Sequence, residues 1–214
     1  MDPDSFLTLA APAEAQTREK ASVFLAYAAP VETEEEARAA LAERAKAMWD
    51  ATHHCSAWRL RTGVSRANDA GEPSGSAGAP ILAAIEGAGL VDCLVVVTRW
   101  YGGTRLGVGG LVRAYGDAAA QALAAAPRRV GTRAARLSVR YPYAHTAAVM
   151  RVLERAGAAR VEHGYAAGGD AGTVEFSVPE SAEARLRDEL REATAGALAP
   201  ERTGAAVLYR NADR

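Results

Sequence analysis

Lysine is nearly missing from this chain: of 25 basic residues only Lys20 and Lys46 are lysine, and the other 23 are arginine. Alongside the abundance of alanine this is a compositional bias, so the arginine count alone says nothing about a nucleic-acid partner. Cysteine is as scarce, and Cys55 and Cys93 sit far apart in apolar, strand-like runs, which suits free thiols in a reducing cytoplasm and not a disulfide framework. No apolar run approaches membrane-spanning length. The short one from Phe6 to Ala13 follows Asp2 and Asp4, where a signal peptide needs positive charge, so the chain reads as soluble and cytoplasmic with no membrane partner. The G-x-G-x-x-G and G-x-x-x-x-G-K-[ST] loops are absent, which sets aside the familiar nucleotide-binding classes. Ser74 and Ser76 miss the G-x-S-x-G nucleophile elbow. His53-His54-Cys55 does not make a metal set, because neighbours on a strand point to opposite faces. No cofactor or metal is expected.

What is present is 214 residues, enough for two modest α+β domains. Val23 to Ala29 predicts a strand, and Thr33 with Glu36 predicts a capping box opening a helix to about Trp49. His54 to Arg61 alternates as a strand covered on both faces, Pro80 to Ala88 suits a short helix ended by Gly89, and Cys93 to Thr98 is a β-branched run of the doubly buried kind. A helix over Gly110 to Ala126 closes this half. Pro127 to Gly131 reads as a break and domain boundary, giving domains 1–130 and 131–214. Beyond it, strands at Leu137 to Tyr141, Arg160 to Ala166, Thr173 to Val178 and Ala205 to Tyr209 enclose helices ending at Gly157 and Thr194. The order is βαββαβ, a ferredoxin-like arrangement.

Charge is concentrated where glycine is. The chain carries a formal −1, yet Arg99 to Arg140 holds eight arginines against Asp117 alone, a local +7 that leaves the remainder at −8. A segment of that sign can attract a polyanion. At its start, the apolar strand feeds a loop with Gly102, Gly103, Gly107, Gly109 and Gly110 and then a helix N-terminus, where free amides and the helix dipole favour phosphate. Arg99, Arg105 and Arg113 supply planar cations matched to phosphate oxygens, and Tyr101 beside Trp100 offers a surface for unpaired bases. Close packing of helix on sheet is the other use for those glycines.

The residues that carry a resemblance are His53-His54-Cys55-x-Ala57-Trp58, the run Asp69-Ala-Gly-Glu72-Pro-Ser74-Gly-Ser-Ala-Gly-Ala-Pro80, and Arg99-Trp-Tyr-Gly-Gly-Thr-Arg-Leu-Gly-Val-Gly-Gly-Leu-Val-Arg113 with Ala114-Tyr115. In this order they resemble the IMPACT family in its two-domain bacterial, YigZ-type form. The resemblance implies an N-terminal domain like domain 2 of ribosomal protein S5 and a ferredoxin-like C-terminal domain. Both domain types also resemble the last two domains of the translocation elongation factor. RNA or the ribosome is the implied partner and regulation of translation the implied role, with a protein partner as an alternative. No catalysis is firmly implied, although a hydrolase built on Asp69, Glu72 and His54 stays open. His54, Asp69, Glu72 and Ser74 are family-motif positions without an assigned role. Two departures stand out: Ala70 replaces the family's second acid, and Ala79 replaces its basic residue before Pro80. Both shift the expectation from a carboxylate pair towards anion binding.

Overall fold

The computed structural model describes residues 2–212 and shows a mixed α+β chain with two five-stranded sheets. It divides into two compact units, residues 6–130 with 211–212 and residues 2–5 with 131–210. No helix among the described residues is long and apolar enough to cross a membrane.

In chain order the first elements are β1 (Ser5–Leu9), β2 (Ala13–Glu19), β3 (Ser22–Pro30), α1 (Glu34–Ala47), β4 (His53–Arg59), β5 (Ser65–Asn68), α2 (Gly78–Gly87), β6 (Cys93–Trp100) and α3 (Val108–Ala125). The sheet of the first unit runs β2-β3-β6-β4-β5, antiparallel throughout. Its central strand β6 is buried on both faces. Val95 and Val97 join Phe24, Ile81 and Tyr115 in the core beneath α2 and α3, whereas Leu94 and Val96 join Trp58 and Ala37 beneath α1. The capping box holds α1 in place: Thr33 Oγ1 accepts from the Glu36 amide at 3.1 Å, and the Glu36 carboxylate reaches back to the Glu32 amide at 2.7 Å. Past α2, Gly89 takes φ +67° and its neighbour Leu90 donates back to Ile85, the helix stop that a glycine permits.

The second unit contains β7 (Arg128–Pro142), α4 (Thr146–Arg155), β8 (Ala159–Tyr165), β9 (Ala171–Pro179), α5 (Glu183–Ala193) and β10 (Glu201–Asn211). Its sheet runs β7-β9-β8, with β10 also paired to β7. Leu137, Val139, Val149, Leu153, Phe176 and Leu186 form its core. Buried Asp4 accepts from the Ser181 amide at 2.8 Å. Burial would raise its carboxyl, but the Ser181 donors and Arg133 outweigh burial and hold it below the usual range.

Two features differ from the sequence expectation. Residues 128–131, read as part of a break, are the first residues of the 15-residue β7, because Pro127 ends a helix without preventing a strand from starting at once. Strands β1, β2 and β5 were not anticipated. β2 (AEAQTRE) and β5 (SRAN) are short, polar edge strands whose sequences carry little strand propensity.

Candidate functional site

The register of β6 decides where its last charged residue points. Positions 93, 95 and 97 face α2 and α3, so Arg99 does too, with Phe24 of β3 and His53 of β4 as its cross-strand partners. There Arg99 is 4% exposed. Its guanidinium donates to Glu72 Oε1 at 2.6 Å and to Ser22 Oγ at 3.2 Å, and lies 5.4 Å from the ring centroids of both Phe24 and Tyr101. Glu72, with a side chain 5% exposed, also accepts from the Tyr115 hydroxyl at 2.7 Å. His53 Nδ1 lies 2.9 Å from the Ala70 carbonyl, which can only accept, so Nδ1 carries the proton and Nε2 faces Glu72 Oε1 at 3.9 Å. Beside this cluster, the Cys55 thiol donates to the Asp69 carbonyl at 3.0 Å. Burial above all, with the negative charges of Glu72 and Asp69, pushes that thiol up to about 12. Burial, then Cys55 and Glu72, pushes the Tyr115 phenol well above its usual range. Both therefore remain protonated donors at neutral pH, and Glu72 with Arg99 forms a buried pair of zero net charge.

The other motif residues are committed elsewhere. The Asp69 carboxylate accepts from the backbone amides of Gly75 (2.8 Å), Ala77 (3.0 Å) and Gly78 (2.8 Å). Burial would raise its carboxyl, but those three donors prevail and hold it below the usual range. His54 points to the opposite face of β4 and pairs with Thr98 Oγ1 at 3.1 Å; burial and the neighbouring His53 lower its pKa. Ser74 is exposed in the loop. Asp69, Glu72 and His54 thus do not converge into a catalytic set. His53, and not His54, is the histidine packed against the glycine-rich segment, 3.5 Å from where a Cβ on Gly71 would lie.

Above the Glu72–Arg99 pair opens a cleft of about 340 Å³, walled by Pro73, Tyr101, Arg105, Leu106, Gly107 and Val108. Gly107 takes φ +72° and starts α3, an 18-residue helix with no side-chain cap and no acidic residue in its first turn. Its opening amides are unsatisfied donors beside the cleft. Arg105 and Arg113 are exposed, and no carboxylate among the described residues pairs with either. Lys20 Nζ sits 3.4 Å from the Arg105 carbonyl and adds a third cation. Tyr101 is 45% exposed. A larger cavity of about 650 Å³ is lined by Ala10, the end of α3, Pro127, Arg128 and Asn211.

Residues 20–123, which contain the whole cluster and cleft, match the family model described as the Impact N-terminal domain. Through this stretch the chain is similar to members of the IMPACT family. It is 40% identical over 121 residues to the IMPACT family member YvyE of Bacillus subtilis, covering 56% of each chain. It is 51% identical over 107 residues to an IMPACT family member of Thermus thermophilus, covering 50% of this chain and 58% of that one. With YigZ of Escherichia coli it shares 40% over 127 residues, 56% of this chain and 61% of the relative. The match thus spans about three-fifths of these relatives' length. A solved structure described as a hypothetical protein, 28% identical, superposes with TM-score 0.67 over 94% of this chain and 98% of its own.

Within residues 20–123 the glycines divide by task. A Cβ on Gly102 would lie 2.0 Å from the Ala21 backbone, so this glycine serves close packing. A Cβ on Gly109 would meet nothing within 4 Å, and Gly103, at φ +81°, likewise has open space beside it. Gly110 packs under Leu106. Ala70, one of the two departures, sits at φ +47° with its amide donating to Asn68 Oδ1 at 2.9 Å; Ala79 is exposed near the start of α2. Sequence reasoning missed His53, Tyr115, Ser22 and Lys20. Strand parity relative to Cys55 could have singled out His53, whereas Ser22 and Lys20 reach the site only through the β3–β6 pairing.

Proposed function

We propose that the protein binds the phosphate backbone of single-stranded RNA through the cleft at the start of α3, as a ribosome-associated, cytoplasmic regulator of translation without catalysis. The observation that carries this reading is the conjunction at one cleft of an uncapped 18-residue helix and the exposed cation Arg105, with exposed Tyr101 beside them. Arg113 and Lys20 lie on the neighbouring turn of α3 and the neighbouring loop. Arg99 contributes by supporting the cleft floor, since its charge is taken up by Glu72. The two domains are proposed as 1–130, resembling domain 2 of ribosomal protein S5, and 131–214, ferredoxin-like. The β7-α4-β8-β9-α5-β10 order, with β7 between β10 and β9, supports the second assignment.

Labelled single-stranded RNA titrated at several salt concentrations tests the reading. Two to three neutralised phosphates give a slope of log K against log salt near −2, and Arg105→Ala makes it shallower by about 0.7. Binding that ignores salt, or no binding at all, refutes it.

A further inference from the structure

We infer that the cleft receives one ribonucleotide unit in a fixed orientation, with its phosphate at the N-terminus of α3, its base on Tyr101 and its ribose hydroxyl on Glu72. The inference rests on the RNA-binding reading and specifies what that site recognises.

Three observations fix the polarity. Glu72 lines the cleft, and both of its hydrogen bonds and the approach of His53 fall on Oε1, with no donor to Oε2 among the described residues. A carboxylate oxygen only accepts, so one on a side chain 95% buried rewards a hydroxyl or amino donor and gains nothing from a phosphodiester, which has no donor to offer. At the other end, Gly107 opens α3 with bare amides, Gly109 leaves the approach open, and Arg105 adds a cation, so the anionic group belongs there. The ligand must therefore carry an anion at one end and a donor at the other.

Tyr101 supplies the third point. The Arg99 guanidinium, itself between Phe24 and Tyr101 with its Nε buried and unpartnered, sits 5.4 Å from the Tyr101 centroid and steadies the ring from one side. The remainder of the ring is open, and an aromatic held in this way is a platform for a base. A volume of about 340 Å³ lies at the small end of ligand pockets, room for one nucleotide and not for a duplex. A carboxylate acceptor at the sugar distinguishes an RNA strand from a DNA strand, because within a strand the 2′-hydroxyl is the one sugar group that can donate to it.

The test compares single-stranded RNA with DNA of the same base sequence on the wild-type protein, and uses 5′-AMP, 5′-dAMP and adenosine as competitors. RNA is expected to bind about tenfold tighter than DNA, the worth of one charge-assisted hydrogen bond. AMP is expected to compete better than both dAMP and adenosine if the unit is taken free; RNA preference without AMP competition assigns the site to a nucleotide within a strand. Glu72→Gln should bring the ratio of RNA to DNA affinity towards one, and the wild-type comparison stands by itself if that variant does not fold. Equal RNA and DNA affinity, both weakened by Arg105→Ala, overturns the ribonucleotide inference and leaves the phosphate reading intact. Absence of binding to either strand overturns both.

Discussion

Removing the Asp69 carboxylate separates a structural role from a chemical one. One oxygen holds the amides of Ala77 and Gly78 at the mouth of α2, whose N-cap residue Ala77 has no capping side chain of its own, and the other holds Gly75 in the preceding loop. Asp69 is in effect the N-cap of a helix that begins nine residues later. Hydrogen bonds to a charged acceptor are worth about 1.5 kcal/mol each, and non-additivity in a partly exposed loop reduces three of them to about 3 kcal/mol. Asp69→Ala should therefore lower the urea midpoint of the first unit by about 1.5 M, for an m-value near 2 kcal/mol/M. The pH dependence has a definite sign. The folded-state pKa lies below the unfolded value, so this stability is fully present above pH ~4 and is lost as pH falls through the folded pKa. Asp69→Asn should flatten that acid limb of the stability curve. A midpoint shift below about 0.3 M, with an unchanged acid limb, would refute the capping role and reopen a chemical one.

Four other outcomes follow from the same structure. Gly102→Ala places a Cβ 2.0 Å from the Ala21 backbone and should cost more than about 3 kcal/mol in thermal melts, whereas Gly103→Ala, strained only by φ +81°, should cost about 1–2 kcal/mol. Ala70→Gly relieves a left-handed alanine at φ +47° and should raise stability by about 0.5–1 kcal/mol. Arg99→Met leaves the Glu72 charge buried without its cation, at a cost of about 3–5 kcal/mol, and adding Glu72→Gln should recover part of it in a double-mutant cycle. Cys55 and Cys93, whose thiols burial pushes up to about 12, should resist iodoacetamide in the native protein at pH 8 and react on unfolding in urea.

How far the sequence could be read depended on whether a feature was local. Thr33 with Glu36 and the Gly89 stop speak through neighbouring residues, and α1 and α2 lie close to where those signals put them. The doubly buried β6 was legible because a run of valines admits no other environment in a sheet. Edge strands β2 and β5 were not, since their polar residues acquire strand geometry only by pairing with β3 and β4. At the site, the glycine loop and the start of α3 were visible as chemistry, but the orientation of Arg99 was not. A strand covered on both faces gives no alternation to say which side its final arginine takes, and the inward turn to Glu72 follows from a register set by two other strands. The same non-locality hid Tyr115, which reads as one more apolar residue on the α3 stripe until its hydroxyl is seen on Glu72.

The central claim is that the start of α3 and its surrounding cations form a phosphate site for single-stranded RNA, and salt-dependent affinity tests it most directly. Titrating labelled RNA against the wild-type protein and Arg105→Ala should give a log–log slope near −2 for the former and one shallower by about 0.7 for the latter. Identical slopes for the two proteins, or an affinity indifferent to salt, would contradict it.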